Sequence, residues 1–187
     1  MADPGTLLAT LSEPFTTSLG LNSGTLVSAV FREAGGTLDF YYQVTNNATA
    51  PNCGAPGQQA CDSLTRETDT SFLGFETSVG FRTDGATLPG GVFVNGTSVP
   101  VTADRNAVGN VVGFLFIPPT ASAIQPGQSS AVLVISTNAT NFTAGNASVI
   151  DGGVTTVASF EPVPEATSLL LVGPGLLALG AARKPRD

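Results

Sequence analysis

The chain has 187 residues, enough for one domain with a core of its own plus an appendage. It is 42% hydrophobic and only 11% charged, the opposite of the balance found in disordered chains. The formal net charge is −7 and no lysine precedes position 184, so the clustered cations that neutralise phosphates are missing and nucleic acid is excluded as a partner.

Taken in chain order, the sequence reads as short strands separated by turn signals, with almost no helix. Residues 24–32, GTLVSAVFR, give an early strand. The clearest is 37–45, TLDFYYQVT, where Leu38, Phe40, Tyr42 and Val44 share one face and Thr37, Asp39, Tyr41 and Gln43 the other. That period of two marks a half-buried strand, with Tyr42 in the core and Tyr41 free to face solvent. A polar loop of about fifteen residues follows, NNATAPNCGAPGQQACDS, long enough to need a function or a constraint. Further strands are expected at 71–82, 91–94, 111–117, 130–136 and 153–160. Asp84-Gly85 and Asp151-Gly152 can supply the positive φ of tight hairpins, and Pro89-Gly90 and Pro126-Gly127 pair a preset φ with a permissive one. Six to nine short strands at this spacing predict an all-β fold, an antiparallel β-sandwich of Greek-key or jelly-roll type, with a closed barrel as the alternative.

The only cysteines, Cys53 and Cys61, lie in the long loop. Their spacing is too wide for a redox Cys-x-x-Cys pair, and a chain without histidine lacks the other soft ligands zinc requires. A disulfide closing a nine-residue ring is expected, two free thiols being the alternative. The bridge is worth about 2.6 kcal/mol in the chain-entropy model and implies an oxidising compartment.

Catalytic constellations are scarce. Without histidine there is no Ser-His-Asp or Cys-His arrangement, and the single lysine, Lys184, leaves the body without a Ser-Lys dyad or Schiff base. Paired carboxylates for glycoside hydrolysis are the remaining option. Asp39, Glu67, Asp69, Glu76, Asp84, Asp104 and Asp151 are available, but no two sit in a recognisable motif. Arg66-Glu67 beside Asp69 reads as a polar strand edge. The expectation is a non-enzymatic protein with no cofactor and no metal. Carbohydrate binding is the rival function, but with no tryptophan its aromatic platform reduces to Tyr41 alone. Asn47, Asn95, Asn138, Asn141 and Asn146 each begin an Asn-x-Ser/Thr sequon, which marks a Thr/Asn-rich surface open to glycosylation or hydration.

The end of the chain is different. Residues 167–182, TSLLLVGPGLLALGAA, are uncharged and run directly into Arg183, Lys184 and Arg186. As a helix this stretch is ~24 Å long, short of a ~30 Å hydrocarbon core, and the basic tip holds the end on the cytoplasmic side. The whole segment, PVPEATSLLLVGPGLLALGAARKPR (162–186), resembles the PEP-CTERM sorting signal of Gram-negative bacteria: a Pro-Glu-Pro motif, a short hydrophobic helix and an arginine-rich end. Pro164 and Glu165 match the first two motif positions, and Ala166 stands where the family has proline. The bodies of such proteins are often Thr/Asn-rich, as this one is.

The resemblance implies an N-terminal signal peptide, an exosortase that processes the tail, and transient membrane contact through that tail. Residues 1–11, MADPGTLLATL, have no basic n-region and no apolar core, so an upstream segment is expected. The resulting expectation is a domain at 1–160 and a sorting tail at 161–187. Its role is structural or adhesive at the cell surface, in the extracellular matrix or in a biofilm, with exopolysaccharide or matrix proteins as partners.

Overall fold

The computed structural model describes residues 4–117, 123–151 and 153–164. They form two five-stranded antiparallel sheets, a sandwich, and contain no α-helix. The first sheet has the order β1 (Thr6–Thr16), β2 (Ser23–Arg32), β3 (Leu38–Asn46), β8 (Val132–Thr137), β5 (Thr77–Arg82). The second runs β10 (Gly153–Val163), β9 (Asn141–Asp151), β4 (Arg66–Asp69), β7 (Val112–Leu115), β6 (Thr102–Arg105). The chain crosses between sheets after β3, β4, β5, β7 and β8. The expected C-terminal helix lies outside the described residues, as do Glu165, Ala166, Arg183, Lys184 and Arg186.

The main core is the seam between the sheets. Leu38, Phe40, Tyr42 and Val44 of β3 meet Val112 and Phe114 of β7 and Ala147 and Val149 of β9, as the alternation in β3 requires. The Tyr42 hydroxyl crosses the seam and donates to the Phe160 carbonyl at 2.9 Å. Because that acceptor belongs to β10, the sandwich continues past 160: β10 pairs with β9 through Val163. Pro14 and Pro162 sit inside strands, but both strands are sheet edges, where a missing N–H is tolerated.

A second cluster covers the outer face of the first sheet. Ala29, Phe31, Tyr41, Val132 and Val134 pack beneath Leu88 and Phe93. Those two come from the β5–β6 connection, which begins with a 3-10 turn at Gly85–Thr87. The stretch 91–94, expected to be a strand, joins no ladder and instead straps this face. Gln43 fastens it, its Nε2 donating to the Val94 and Ser130 carbonyls (both 2.8 Å) and its Oε1 accepting from the Val94 N–H at 2.9 Å. At Gly96 a Cβ would lie 1.7 Å from the Ser130 carbonyl oxygen, so the strap needs glycine there.

Other expectations shift in detail. Only 77–82 of the segment 71–82 is a strand, because Ser71 (φ 71°) and Gly74 (φ 87°) turn the chain between sheets. Pro126-Gly127 turns as expected, with Gly127 at φ 82° and Gln128 N–H donating to the Gln125 carbonyl at 2.9 Å.

Candidate functional site

Three neighbouring strands build a groove of about 380 Å3 on the outer face of the first sheet. Register sets its floor. Asp39 of β3 pairs with Ser136 of β8, which pairs with Ser78 of β5; one row along, Tyr41 pairs with Val134 and Val134 with Gly80. Gly80 has no side chain, so the floor dips there. Glu33 rises from the β2–β3 turn, which is closed by Glu33 N–H donating to the Thr37 carbonyl and Gly36 N–H to the Glu33 carbonyl, both 2.9 Å. Thr37 and Thr137 complete a lining of hydroxyls around two carboxyls.

The electrostatics follow from that lining. Burial pushes the Asp39 carboxyl up to about 6; its hydrogen bond with Ser136 opposes the rise and the Glu33 charge adds to it. Burial, with the Asp39 charge, pushes the Tyr41 phenol to about 12, against a hydrogen bond with Arg82. Arg82 in turn grips Asp84 with two bonds, 2.9 and 2.8 Å, which holds the Asp84 carboxyl down at about 2.

Tyr41 is a correction. Alternation left it free to face solvent, yet it is 2% exposed, its ring 4.6 Å from that of Phe31 and 6.4 Å from that of Phe93. Alternation correctly turned it away from the seam, but the 91–94 strap covers the face it was turned toward. The groove therefore presents hydroxyls and carboxyls rather than an aromatic platform.

The other acids scatter. Asp104 lies on the outside of the second sheet, clamped by Arg66 at 2.6 and 2.7 Å, which lowers its carboxyl below the ordinary range. Asp151 is raised by burial and by the Asp62 charge. Glu67 and Asp69 are the second correction. Their strand is not an edge but lies between β9 and β7, and both side chains point into the seam, 0% and 1% exposed. No group of three or more acidic or cysteine side chains able to hold a metal ion occurs among the described residues.

The disulfide is present. Cys53 and Cys61 are joined with their Cα atoms 4.9 Å apart. The loop is not a free appendage: Cys53 is fully buried, and the Asp62 carbonyl accepts from Asn22 and Asn46, docking the ring on the end of the first sheet. All five sequon asparagines, Asn47, Asn95, Asn138, Asn141 and Asn146, are exposed. Two of them also brace turns, Asn95 Oδ1 accepting from Ala86 N–H at 2.9 Å and Asn138 Oδ1 from Glu76 N–H at 3.1 Å. Pro164 is exposed directly after β10, where the rest of the motif begins.

No family model, curated protein or solved structure matches this chain.

Proposed function

We propose that this chain is an exported, non-enzymatic protein of the cell surface or extracellular matrix, with a structural or adhesive role. Residues 164–187 act as its sorting tail, with 167–182 entering the membrane as a short helix before an exosortase cleaves near Pro164, Glu165 and Ala166. The sandwich, Greek-key in kind, is the part delivered outside.

The observation that supports this most is the Cys53–Cys61 bridge, because such bonds form and persist chiefly in oxidising compartments. Exposed sequon asparagines and an acidic, hydroxyl-rich surface suit a hydrated matrix. The test is expression behind an export signal in a Gram-negative host, with and without an exosortase. Cleavage and release that need the exosortase and are blocked by Glu165→Ala support the proposal. Equal surface delivery of a form lacking 165–187 contradicts it.

The outer-face groove favours a second reading, binding of a matrix polysaccharide. Its alternating carboxyl and hydroxyl groups match the donors and acceptors of sugar hydroxyls. A glycan array separates the readings: binding lost on both Asp39→Asn and Ser136→Ala assigns the groove, and absence of binding leaves the structural role.

A further inference from the structure

The least expected feature of this sandwich is two carboxyl groups in its centre. Glu67 and Asp69 are two residues apart on β4, so both project into the seam. Glu67 is flanked across the ladder by Val149 and Phe114, and Asp69 by Ala147 and Val112, all buried and none ionisable. No other group donates to any of the four carboxyl oxygens, and the hydrogen-bonding neighbour of each carboxyl is the other. Buried polar atoms are nearly always satisfied, so four orphans in one place call for a missing species.

That species is a proton or a cation, and the surroundings discriminate. A hard cation such as calcium takes six to eight oxygens. Here the neighbouring backbone carbonyls are committed to the ladders of β9, β4 and β7, and the Tyr42 hydroxyl already donates to Phe160. The hydroxyls of Ser28 and Ser159, one inward-facing on each sheet, are buried without partners. Even counting them, the set stays short of a calcium shell and holds only two carboxyls. A proton needs none of this, because a protonated carboxyl donates to its ionised neighbour.

The counter-charge that reaches the pair is a partial one: the Arg66 charge lowers Glu67, by less than burial raises it. From β3 comes the neutral phenol of Tyr42, and from β10 the carboxyl of Glu161, whose charge adds to the acidic field. Arg66 is on the same strand but faces outward, clamped to Asp104. Arg105 of β6, in register with Asp69 across Val112, spends its guanidinium on the Phe72, Phe75 and Gly109 carbonyls. Two ionised carboxylates would repel each other here among buried apolar neighbours.

We propose that Glu67 and Asp69 form a proton-sharing lock between the sheets, so that the sandwich is held while the pair keeps a proton and loosens as alkali removes it. For a protein on the outside of a cell this couples the integrity of the fold to external pH. Burial raises both carboxyls, and for Asp69 the Glu67 charge adds to the rise. In the unfolded chain both titrate near pH 4, so above that value the native state carries more protons than the unfolded one. The pair's contribution is therefore full below about pH 4 and is lost as pH climbs through the native values.

The test is denaturant unfolding of the full chain from pH 4 to 9, for wild type, Glu67→Gln and Asp69→Asn. Asp39 also sheds a proton in part of this range, so the quantity read is the difference from wild type. The wild-type unfolding constant should rise about tenfold per pH unit for each proton retained. Each variant should lose at least one such slope and be at least tenfold harder to unfold than wild type at pH 8. Parallel curves overturn the proposal. So does stabilisation of the wild type, but not of Glu67→Gln, by millimolar calcium or magnesium, which would make the site a cation site. If neither variant folds, the infrared spectrum of the wild type at pH 7 decides. A protonated-carboxyl band that is lost only in alkali supports the lock, and its absence overturns it.

Discussion

Two carboxyl pairs among the described residues invite comparison, one on the outer face of the first sheet and one in the seam. In the groove, Glu33 and Asp39 have hydroxyl neighbours and an opening to water, and burial raises Asp39 to about 6. In the seam, Glu67 and Asp69 have apolar neighbours, no donor and no opening, and both are displaced upward. The same functional groups are thus open to solvent in one setting and enclosed by the fold in the other. What differs is the access of water and the presence of donors.

The sharpest way to break this comparison is to add a third carboxyl to each pair. Val149→Asp, directly across the ladder from Glu67, should destabilise by at least about 3 kcal/mol at pH 7 and leave the chain unfolded or aggregated. Ser136→Asp, the matching position beside Asp39, should cost less than about 1 kcal/mol and push the Asp39 carboxyl above its present value. Circular dichroism of the two variants checks the contrast, and equal losses would erase it.

The disulfide gives the next effect. Cys53→Ser with Cys61→Ser should cost up to about 2.6 kcal/mol in denaturant unfolding, with the pH profile of stability unchanged because the ring is remote from both pairs. A changed profile would mean that the loop, not the seam, governs the titration. The groove pair can then be isolated by Asp39→Asn. Its folded carboxyl is raised to about 6, so the stability it contributes is present below about pH 4 and lost as pH rises through 6. The substitution should flatten stability between pH 4 and 6 by at most about 2–3 kcal/mol, leaving the slope above pH 6 to the seam. The smallest effect should come from Asp104→Asn on the outer surface, within about 1 kcal/mol despite the close contact with Arg66.

Much of the first sheet was readable from sequence alone. Residues 24–32, 37–45 and 130–136 alternate or run apolar, and they became β2, β3 and β8. The bridge was also readable, because a chain without histidine left the two cysteines few other uses. The second sheet was harder. The inward positions of β9 are Gly145, Ala147 and Val149, so its buried face is made largely of small residues and the sequence looks like a hydrated Asn/Thr surface. The four residues of β4 read Arg-Glu-Thr-Asp, polar throughout, although the strand is central. Tyr41 failed for a different reason: alternation says which face a residue is on, but not whether a segment fifty residues later will cover it.

The groove was hidden by the same limit. Glu33, Asp39, Ser78 and Ser136 come from separate stretches and are brought together only by the β3–β8–β5 register. The seam acids were visible as residues but not as a pair, since their burial depends on β9 and β7 closing around β4.

The most direct test of the account is the carboxyl-carbon NMR titration of the full chain, labelled at aspartate and glutamate, from pH 3 to 10. The account predicts that Glu67 and Asp69 stay unchanged through pH 4, where ordinary surface carboxyls move, and that Asp39 moves near 6. The seam pair should shift together only at higher pH, as the sandwich weakens. Titration of Glu67 and Asp69 near pH 4, alongside the exposed acids, would contradict it.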